Sequence, residues 1–324
     1  MQTGAQTAGP QELASTLGES LGHSLIERIG NTPLLRLDAL TADLPGIALL
    51  GKAEWYNPGG SVKDRAAAHI VAEARRAGKL PPGKILLDAT SGNTGIAYAM
   101  LGAAEGFPVT LCMPENVSRE RKQILHGYGA TIVYTDPGDG SDGAIRMARE
   151  LAGKHPEQYF YADQYSNDAN WKAHYYTTAN EIWQQTQGRV THFVSMLGTS
   201  GTFVGTTRRL KELNPRVQCI SLQPDSSFHG IEGAKHMASA IVPKIYDPTL
   251  ADQNFEIATE DAYAMARQMS RGAGLLVGIS AAAAVVGCLK IARELPVRKG
   301  SEAVIVTILC DSGEKYLSER FWNE

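Results

Sequence analysis

The segment Asn57-Pro58-Gly59-Gly60-Ser61-Val62-Lys63-Asp64-Arg65 gives the chain its first chemical clue. Its Pro-Gly-Gly turn breaks the β-rich run before it. Ser61 is placed to cap a helix on which Val62, Ala66, Ile70, Val71 and Ala74 share one face. Lys63 then falls in the first helical turn, where unpaired backbone N–H groups already carry partial positive charge. A lysine there does nothing for helix stability, which raises the question of a chemical role. The plain alternative is a solvated lysine beside Asp64, and for a lysine considered alone that alternative prevails.

Outward from Lys63, two more glycine-rich turns follow strand patterns. Thr90-Ser91-Gly92-Asn93-Thr94-Gly95 lies between KILLDA (84–89) and the helical IAYAMLGAAEG (96–106). Small hydroxyl and amide side chains at a helix N-terminus provide donors for an anion such as a carboxylate. An ordinary helix cap with turn glycines has the same composition. Gly198-Thr199-Ser200-Gly201-Thr202 joins the apolar HFVSML (192–197) to the helical FVGTTRRL (203–210). Its glycines allow close backbone approach, so amides and hydroxyls can wrap a phosphate dianion. It is neither a Walker loop, lacking Lys-Ser/Thr, nor a dinucleotide GxGxxG. Taken alone, a phosphate site and a plain turn are equally well supported.

Around these turns, strand and helix patterns alternate. Residues 108–114 (PVTLCMP) and 131–135 (TIVYT) read as strands; between them Ile124, Leu125 and Tyr128 keep helical spacing, with Gly129 as the stop. Residues 168–187 read as one helix, 192–197 as a strand, and 202–213 as a helix ending before Pro215. Residues 217–223 form a strand pattern, 259–271 and 280–294 helical ones, and 303–309 (AVIVTIL) a late buried strand. The alternation predicts an α/β fold of mainly parallel, twisted sheets covered by helices on both faces.

Length and composition limit the function classes. A chain of 324 residues can form two domains, and its net charge of −3 gives no pull toward nucleic acid or anionic membranes. Cys112, Cys219, Cys288 and Cys310 lie far apart without ligand spacing, which reads as thiols in a reducing compartment, with neither disulfides nor a metal site. Residues 1–24 lack a basic n-region and an apolar core, so a mobile extension is expected, not a signal peptide. No apolar run approaches the roughly 18 residues of a membrane span. A cytoplasmic location follows by default.

Together the motifs resemble the fold-type II pyridoxal-phosphate enzymes, whose fold is tryptophan synthase β-like. The resemblance is to the cysteine synthase (O-acetylserine sulfhydrylase) and cystathionine β-synthase family. It starts at IGNTPLLRL (29–37) and passes through NPGGSVKDR, TSGNTG, DQYSNDAN (163–170) and GTSGT. It ends in GIS (278–280) and CDSGEKYLS (310–318), so it covers nearly everything after residue 24. The resemblance implies pyridoxal 5'-phosphate as cofactor, with Lys63 forming a Schiff base to its aldehyde. Asn93 would bond the cofactor's 3-oxygen, and Gly198, Thr199, Ser200, Gly201 and Thr202 would cradle its phosphate. Ser312 would face the pyridine nitrogen, with Asp311 competing for that contact. Thr90, Ser91, Asn93, Thr94 and Gln164 would hold the substrate carboxylate. Also implied are a homodimer, a smaller mobile domain at 56–160, and a larger cofactor-binding domain from 25–55 and 161–324.

The implied activity is β-replacement on an O-activated L-serine to give L-cysteine. The free Lys63 amine would take the α-proton, and sulfide or another sulfur donor would add at the β-carbon. CDSGEKYLS resembles cysteine synthase B, the second type. HGIEGAKHMASAIVPKIYDP (229–248) replaces the glycine-rich segment of the first type and leaves acetylated and phosphorylated serine both open. Lys235 in that loop is a candidate phosphate partner or else a solvated residue. A cystathionine synthase core, a diaminopropionate-forming enzyme and a serine or threonine deaminase remain alternatives, and a non-catalytic partner of serine acetyltransferase is the rival from another class. Serine acetyltransferase or a sulfur-carrier protein would be the macromolecular partner. A chain ending at Glu324 is expected to lack a C-terminal regulatory domain.

Overall fold

The computed structural model describes residues 22–90, 92–295 and 302–323. Most of the 1–24 extension therefore lies outside the described residues. The strands are β1 (Leu34–Arg36), β2 (Ile47–Ala53), β3 (Ile85–Ala89), β4 (Val109–Pro114), β5 (Thr131–Thr135), β6 (Tyr159–Tyr161), β7 (His192–Met196), β8 (Gln218–Pro224), β9 (Gln253–Ile257) and β10 (Ala303–Leu309). The α-helices are α1 (Lys63–Arg76), α2 (Asn93–Glu105), α3 (Arg119–Gly127), α4 (Gly140–Lys154), α5 (Asp168–Tyr176), α6 (Thr178–Gln185), α7 (Gly201–Leu213), α8 (Thr259–Ala273) and α9 (Ile279–Glu294).

Two sheets result. One has four parallel strands in the order β5-β4-β3-β6; the other has six in the order β1-β2-β10-β7-β8-β9, parallel except for the β1–β2 pair. Strand β10 shows why an unbroken apolar run is needed. Ile305 and Leu309 enter the core on the α8–α9 face, while Val304, Val306 and Ile308 enter the core on the other face. The small sheet is covered on both faces too. Leu86, Leu111 and Met113 pack with Ile70 of α1 and Ile96 of α2; Leu87 and Cys112 pack with Ile145 and Ala148 of α4. That core takes in Ala162 and Ala169 beyond residue 160, and Ile26 and Ile29 from the start of the described chain.

The strand orders also fix where a ligand can sit. In each sheet the order reverses once, between β3 and β6 and between β10 and β7. Parallel sheets bind ligands beyond the carboxyl ends of strands at such a reversal. Thr90 follows β3, Gln164 follows β6, Gly198 follows β7 and Cys310 follows β10, so both reversals deliver candidate site residues.

Residues 168–187 are not one helix. Thr177 (φ −116°, ψ −74°) separates α5 from α6. Its hydroxyl donates to the Ala173 carbonyl at 2.6 Å and accepts from Nη1 of Arg65 at 3.1 Å. This break lies beside a buried polar cluster that holds α1. Arg65 meets Glu54 through Nε (2.7 Å) and Nη2 (2.9 Å), and Glu181 through Nη1 (2.6 Å) and Nη2 (2.8 Å). Lys52 reaches Glu181 at 2.7 Å. Burial opposes ionisation of Glu181, but the bonds and charge of Arg65, then of Lys52, outweigh it and bring its carboxyl from 4.5 to about 2. Burial likewise opposes ionisation of Glu54, and Arg65 again wins, holding it below the usual range.

Removing one member of a buried pair leaves the other charge unmatched. Arg65→Met should therefore cost about 3–5 kcal/mol in urea unfolding. Because the folded pKa of Glu181 is depressed, its contribution is complete above 4.5 and is lost as pH falls toward about 2. Glu181→Gln should flatten the stability–pH curve over that window, and a wild-type slope retained in the variant would contradict this account.

Candidate active site

Lys63 begins α1, and a network of short bonds builds the turn before it. Asp64 is fully buried and accepts the Gly59 N–H at 2.6 Å, which pins the Pro-Gly-Gly turn. Burial pushes its carboxyl up to about 7, with the Gly59 bond and Lys315 working against the shift. The Ser61 hydroxyl accepts the Lys63 N–H at 3.2 Å, and the backbone at Ser61 bridges Asp311 beyond β10. Lys63 is thus tied to the large sheet although α1 packs on the small one.

Lys63 lines a cavity of about 800 Å³ shared by both glycine-rich turns. From the first turn come Thr90, Asn93 and Thr94, with Gln164 beside them. Thr90 acts mainly as a cap: its hydroxyl oxygen accepts the N–H groups of Gly92 (3.0 Å) and Gly95 (3.2 Å). The Asn93 and Thr94 amides have no acceptor among the described residues. Thr94 donates its hydroxyl to Oε1 of Gln164 at 2.7 Å, and Nε2 of Gln164 donates to the Ala89 carbonyl at 2.6 Å. One Gln164 N–H is left over. Ser91 lies outside the described residues.

From the second turn, Gly198, Thr199, Ser200 and Thr202 line the cavity. Ser200 adopts the left-handed conformation (φ 68°, ψ −8°), which turns consecutive amides toward one point. The Ser200 and Thr202 amides lack acceptors among the described residues, and the buried Ser200 hydroxyl has no partner. Gly201 does not reach the cavity: a Cβ there would collide with Oδ1 of Asn170. Asn170 in turn donates to Oγ1 of Thr199 at 3.0 Å and to the Gln164 carbonyl at 2.7 Å, linking the two turns. At Gly198 a Cβ would strike the Gly233 carbonyl of the 225–247 loop. An orphaned hydroxyl and open amides at a helix N-terminus suit a phosphate group.

Ser312, expected at the pyridine nitrogen, lies elsewhere in the structure. Ser312 is absent from the cavity lining; its backbone bridges Val277 instead. Asp311 is fully buried and gives its Oδ2 to Asn93 and Tyr316. On this side the cavity receives Ser280, near the start of α9, and Cys310. Ser280 belongs to the GIS motif, and its place in a helical first turn was the signal available in sequence. Burial pushes the Cys310 thiol up to about 11, with Lys63 opposing the shift, so it stays protonated near neutrality.

Several supporting residues carry no sequence signal of their own. His174 is buried, with Nε2 3.3 Å from the Thr202 hydroxyl and Nδ1 2.9 Å from that of Thr178. Burial, with help from Arg65 and Lys63, drops it well below the usual histidine range, so its ring is neutral. Two cations line the cavity mouth, each with an acid. Arg121 pairs with Glu232 and lies 4.7 Å over the Tyr316 ring. Lys235 meets Asp142 at 2.8 Å and is only 4 % exposed, so it is not a solvated loop residue. Among the described residues no cluster of His, Cys, Asp or Glu could hold a metal, and no helix is long and apolar enough to cross a membrane.

Comparison with known proteins agrees with this geometry. Residues 25–311 match the family of pyridoxal-phosphate dependent enzymes. The chain is 51 % identical over 303 residues to a cysteine synthase of Aquifex aeolicus, covering 93 % of this chain and 92 % of that protein. It is 40 % identical over 301 residues to cysteine synthase B of Escherichia coli, covering 93 % and 96 %. The crystal structure of cysteine synthase from Entamoeba histolytica superposes with a TM-score of 0.87 at 36 % identity, covering 99 % and 95 %. With Lys63 and two glycine-rich turns lining one cavity and a family match over nearly its whole described length, the chain belongs to the pyridoxal-phosphate-dependent enzymes of the cysteine synthase group.

Proposed function

We propose that this enzyme is a cysteine synthase that replaces the O-linked substituent of O-acetyl-L-serine with sulfur. The observation that carries the reading is that Lys63 shares one cavity with both anion-binding turns. Pyridoxal phosphate, when bound, supplies the electron sink. The open amides of the 198–202 turn and the Ser200 hydroxyl would hold its phosphate, and Asn93 its 3-oxygen. The Asn93 and Thr94 amides and the leftover Gln164 N–H would hold the substrate carboxylate, with Thr90 and Ser91 completing that turn. Lys63 Nζ takes the α-proton, the Cβ–O bond breaks with departure of acetate, sulfide adds to form the Cβ–S bond, and Lys63 Nζ returns the proton to Cα.

The charge pattern supports an acetyl over a phosphoryl leaving group. Arg121 and Lys235 are both matched by acids, so an entering phosphate with nearly two negative charges would lie beside Glu232 and Asp142. The reading extends to a cytoplasmic homodimer, for which the four unpaired cysteines support a reducing compartment. It includes movement of the 56–160 unit, whose sheet has cores on both faces and which meets the 225–247 loop through Asp142, to Lys235 and the Ile241 N–H, and through the Ile241 side chain. Serine acetyltransferase and a sulfur-carrier protein are the macromolecular partners it admits.

Lys63→Ala should abolish L-cysteine formation from O-acetylserine and sulfide, and with it the borohydride-stable link to cofactor, while the fold persists. Reduced cofactor found by mass spectrometry on another lysine would overturn the assignment. We assign the ring-nitrogen contact to Ser280: Ser280→Ala should move the visible band of the bound cofactor and slow turnover, and Ser312→Ala should do neither. A band shift in Ser312→Ala alone would restore the other serine. For the leaving group, kcat/KM should favour O-acetylserine over O-phosphoserine, and Lys235→Ala should depress both alike by loosening the loop. A selective loss on phosphoserine of about tenfold or more, the scale of a charge-assisted hydrogen bond, would show that Lys235 acts on phosphate.

A further inference from the structure

Asn93 stands at the first position of α2 and lines the cavity, and both ends of its amide are held from outside it. Nδ2 donates to Oδ2 of Asp311 at 2.7 Å, and Oδ1 accepts from Nζ of Lys315 at 3.0 Å. Neither partner is loose. Asp311 is wholly buried and its Oδ2 also accepts the Tyr316 hydroxyl at 2.9 Å. Lys315 is 7 % exposed, and its Nζ also donates to the carbonyls of Gly60 (2.9 Å) and Gly59 (3.3 Å) in the turn ahead of Lys63.

These contacts can be made in only one amide orientation. A carboxylate offers acceptors alone and an ammonium offers donors alone. Turning the Asn93 amide by half a revolution would set its oxygen against the carboxylate and its NH₂ against the ammonium, making both contacts repulsive. With Oδ1 turned to Lys315 and one N–H to Asp311, the amide keeps a single uncommitted donor, its second N–H. We propose that Asp311 and Lys315 are positioning residues that lock the Asn93 amide so that it presents a donor, never its carbonyl oxygen, to the cavity. The inference rests on the reading that Asn93 meets the cofactor. It gives the acidic residue of CDSGEKYLS a role that does not require contact with the reacting atoms.

The test is a double-mutant cycle read by cofactor affinity of the apoprotein and by the position and pH titration of the visible band, with thermal melting as the check on folding. Asp311→Asn is nearly isosteric and keeps a hydrogen-bonding group, but its neutral amide no longer dictates orientation. It should weaken cofactor binding about tenfold, the scale of one net hydrogen bond, and shift the band. Lys315→Met should do likewise and Lys315→Arg should restore most of the loss. In the Asn93→Ala background, adding Asp311→Asn should change affinity less than about twofold, because the group it acts through is gone. An equal Asp311→Asn effect with and without Asn93, or an unmoved band and affinity in Asp311→Asn alone, overturns the proposal. Should Lys315→Met fail to fold through its bonds to Gly59 and Gly60, the Asp311 cycle decides by itself. If Asn93→Ala leaves affinity and band unchanged, the reading of Asn93 fails and this inference with it, whereas Lys63→Ala tests the cofactor assignment separately.

Discussion

The guanidinium of Arg65, held between Glu54 and Glu181, sets the position of everything around Lys63. Two buried carboxylates cost several kcal/mol each to desolvate unless a cation meets them in good geometry. The five donors of arginine are arranged to serve two carboxylates at once; a lysine in the same place would satisfy neither fully. Because Glu54 follows β2 and Glu181 lies on α6, satisfying both fixes the rotation of α1 about its axis. Residues two apart on a helix point about 200° away from each other. Arg65 turning toward β2 and α6 therefore directs Lys63 the other way, into the cavity. The break at Thr177 belongs to the same constraint, since it brings both the Thr177 hydroxyl and the Glu181 carboxylate within reach of Arg65.

The class of mainly parallel sheets was legible in the sequence because it rests on periodicity, although strand order and the strands β1, β2, β6 and β9 were not. AVIVTIL supports two cores at once and could only be a strand buried on both faces, and the glycine-rich turns had to lie at strand carboxyl ends. Side-chain direction at irregular positions was not legible. Alternation along an extended chain would return Ser312 to the side of Cys310. Alternation ends at Ser312, however, because a 3₁₀ turn, Gly313–Tyr316, begins immediately after it. Ser280 lies 32 residues earlier, and only the packing of α9 against β10 and β7 brings it to the same wall. Helix α5–α6 was misread for a related reason: its apolar spacing continues across Thr177, and the break answers to Arg65, 112 residues away.

The two glycine-rich turns differ in kind from the cavity's side-chain charges. Both are built from backbone amides at helix N-termini, where the partial charge is fixed by geometry and does not titrate. Arg121 and Lys235, long cations of the cavity lining, are instead committed to Glu232 and Asp142. These pairs join the 225–247 loop to α3 and α4. Both cations are buried while their acids keep partial exposure, and Ile241 of the loop adds an apolar contact beside them. The loop thus closes the cavity without adding net charge to it, and recognition is left to the amides.

The buried carboxylates show how the same desolvation is answered in opposite ways. Glu54 and Glu181 have Arg65 and remain ionised. Asp64 and Asp88 have backbone N–H groups in place of a directly paired cation, and burial raises them to about 7 and about 8. A raised carboxyl favours the fold while it is protonated, so its contribution declines as pH rises from the ordinary value of 3.8 through the folded one. The Arg65 cluster runs the other way, losing its contribution below 4.5. Asp64 holds the turn ahead of Lys63, and Asp88 accepts the Gln164 N–H at 3.3 Å. The supports of the Lys63 turn and of the 90–95 turn therefore soften toward alkali while the frame behind Lys63 softens toward acid. The site is held from both directions only between those limits, in the range from weakly acidic to neutral.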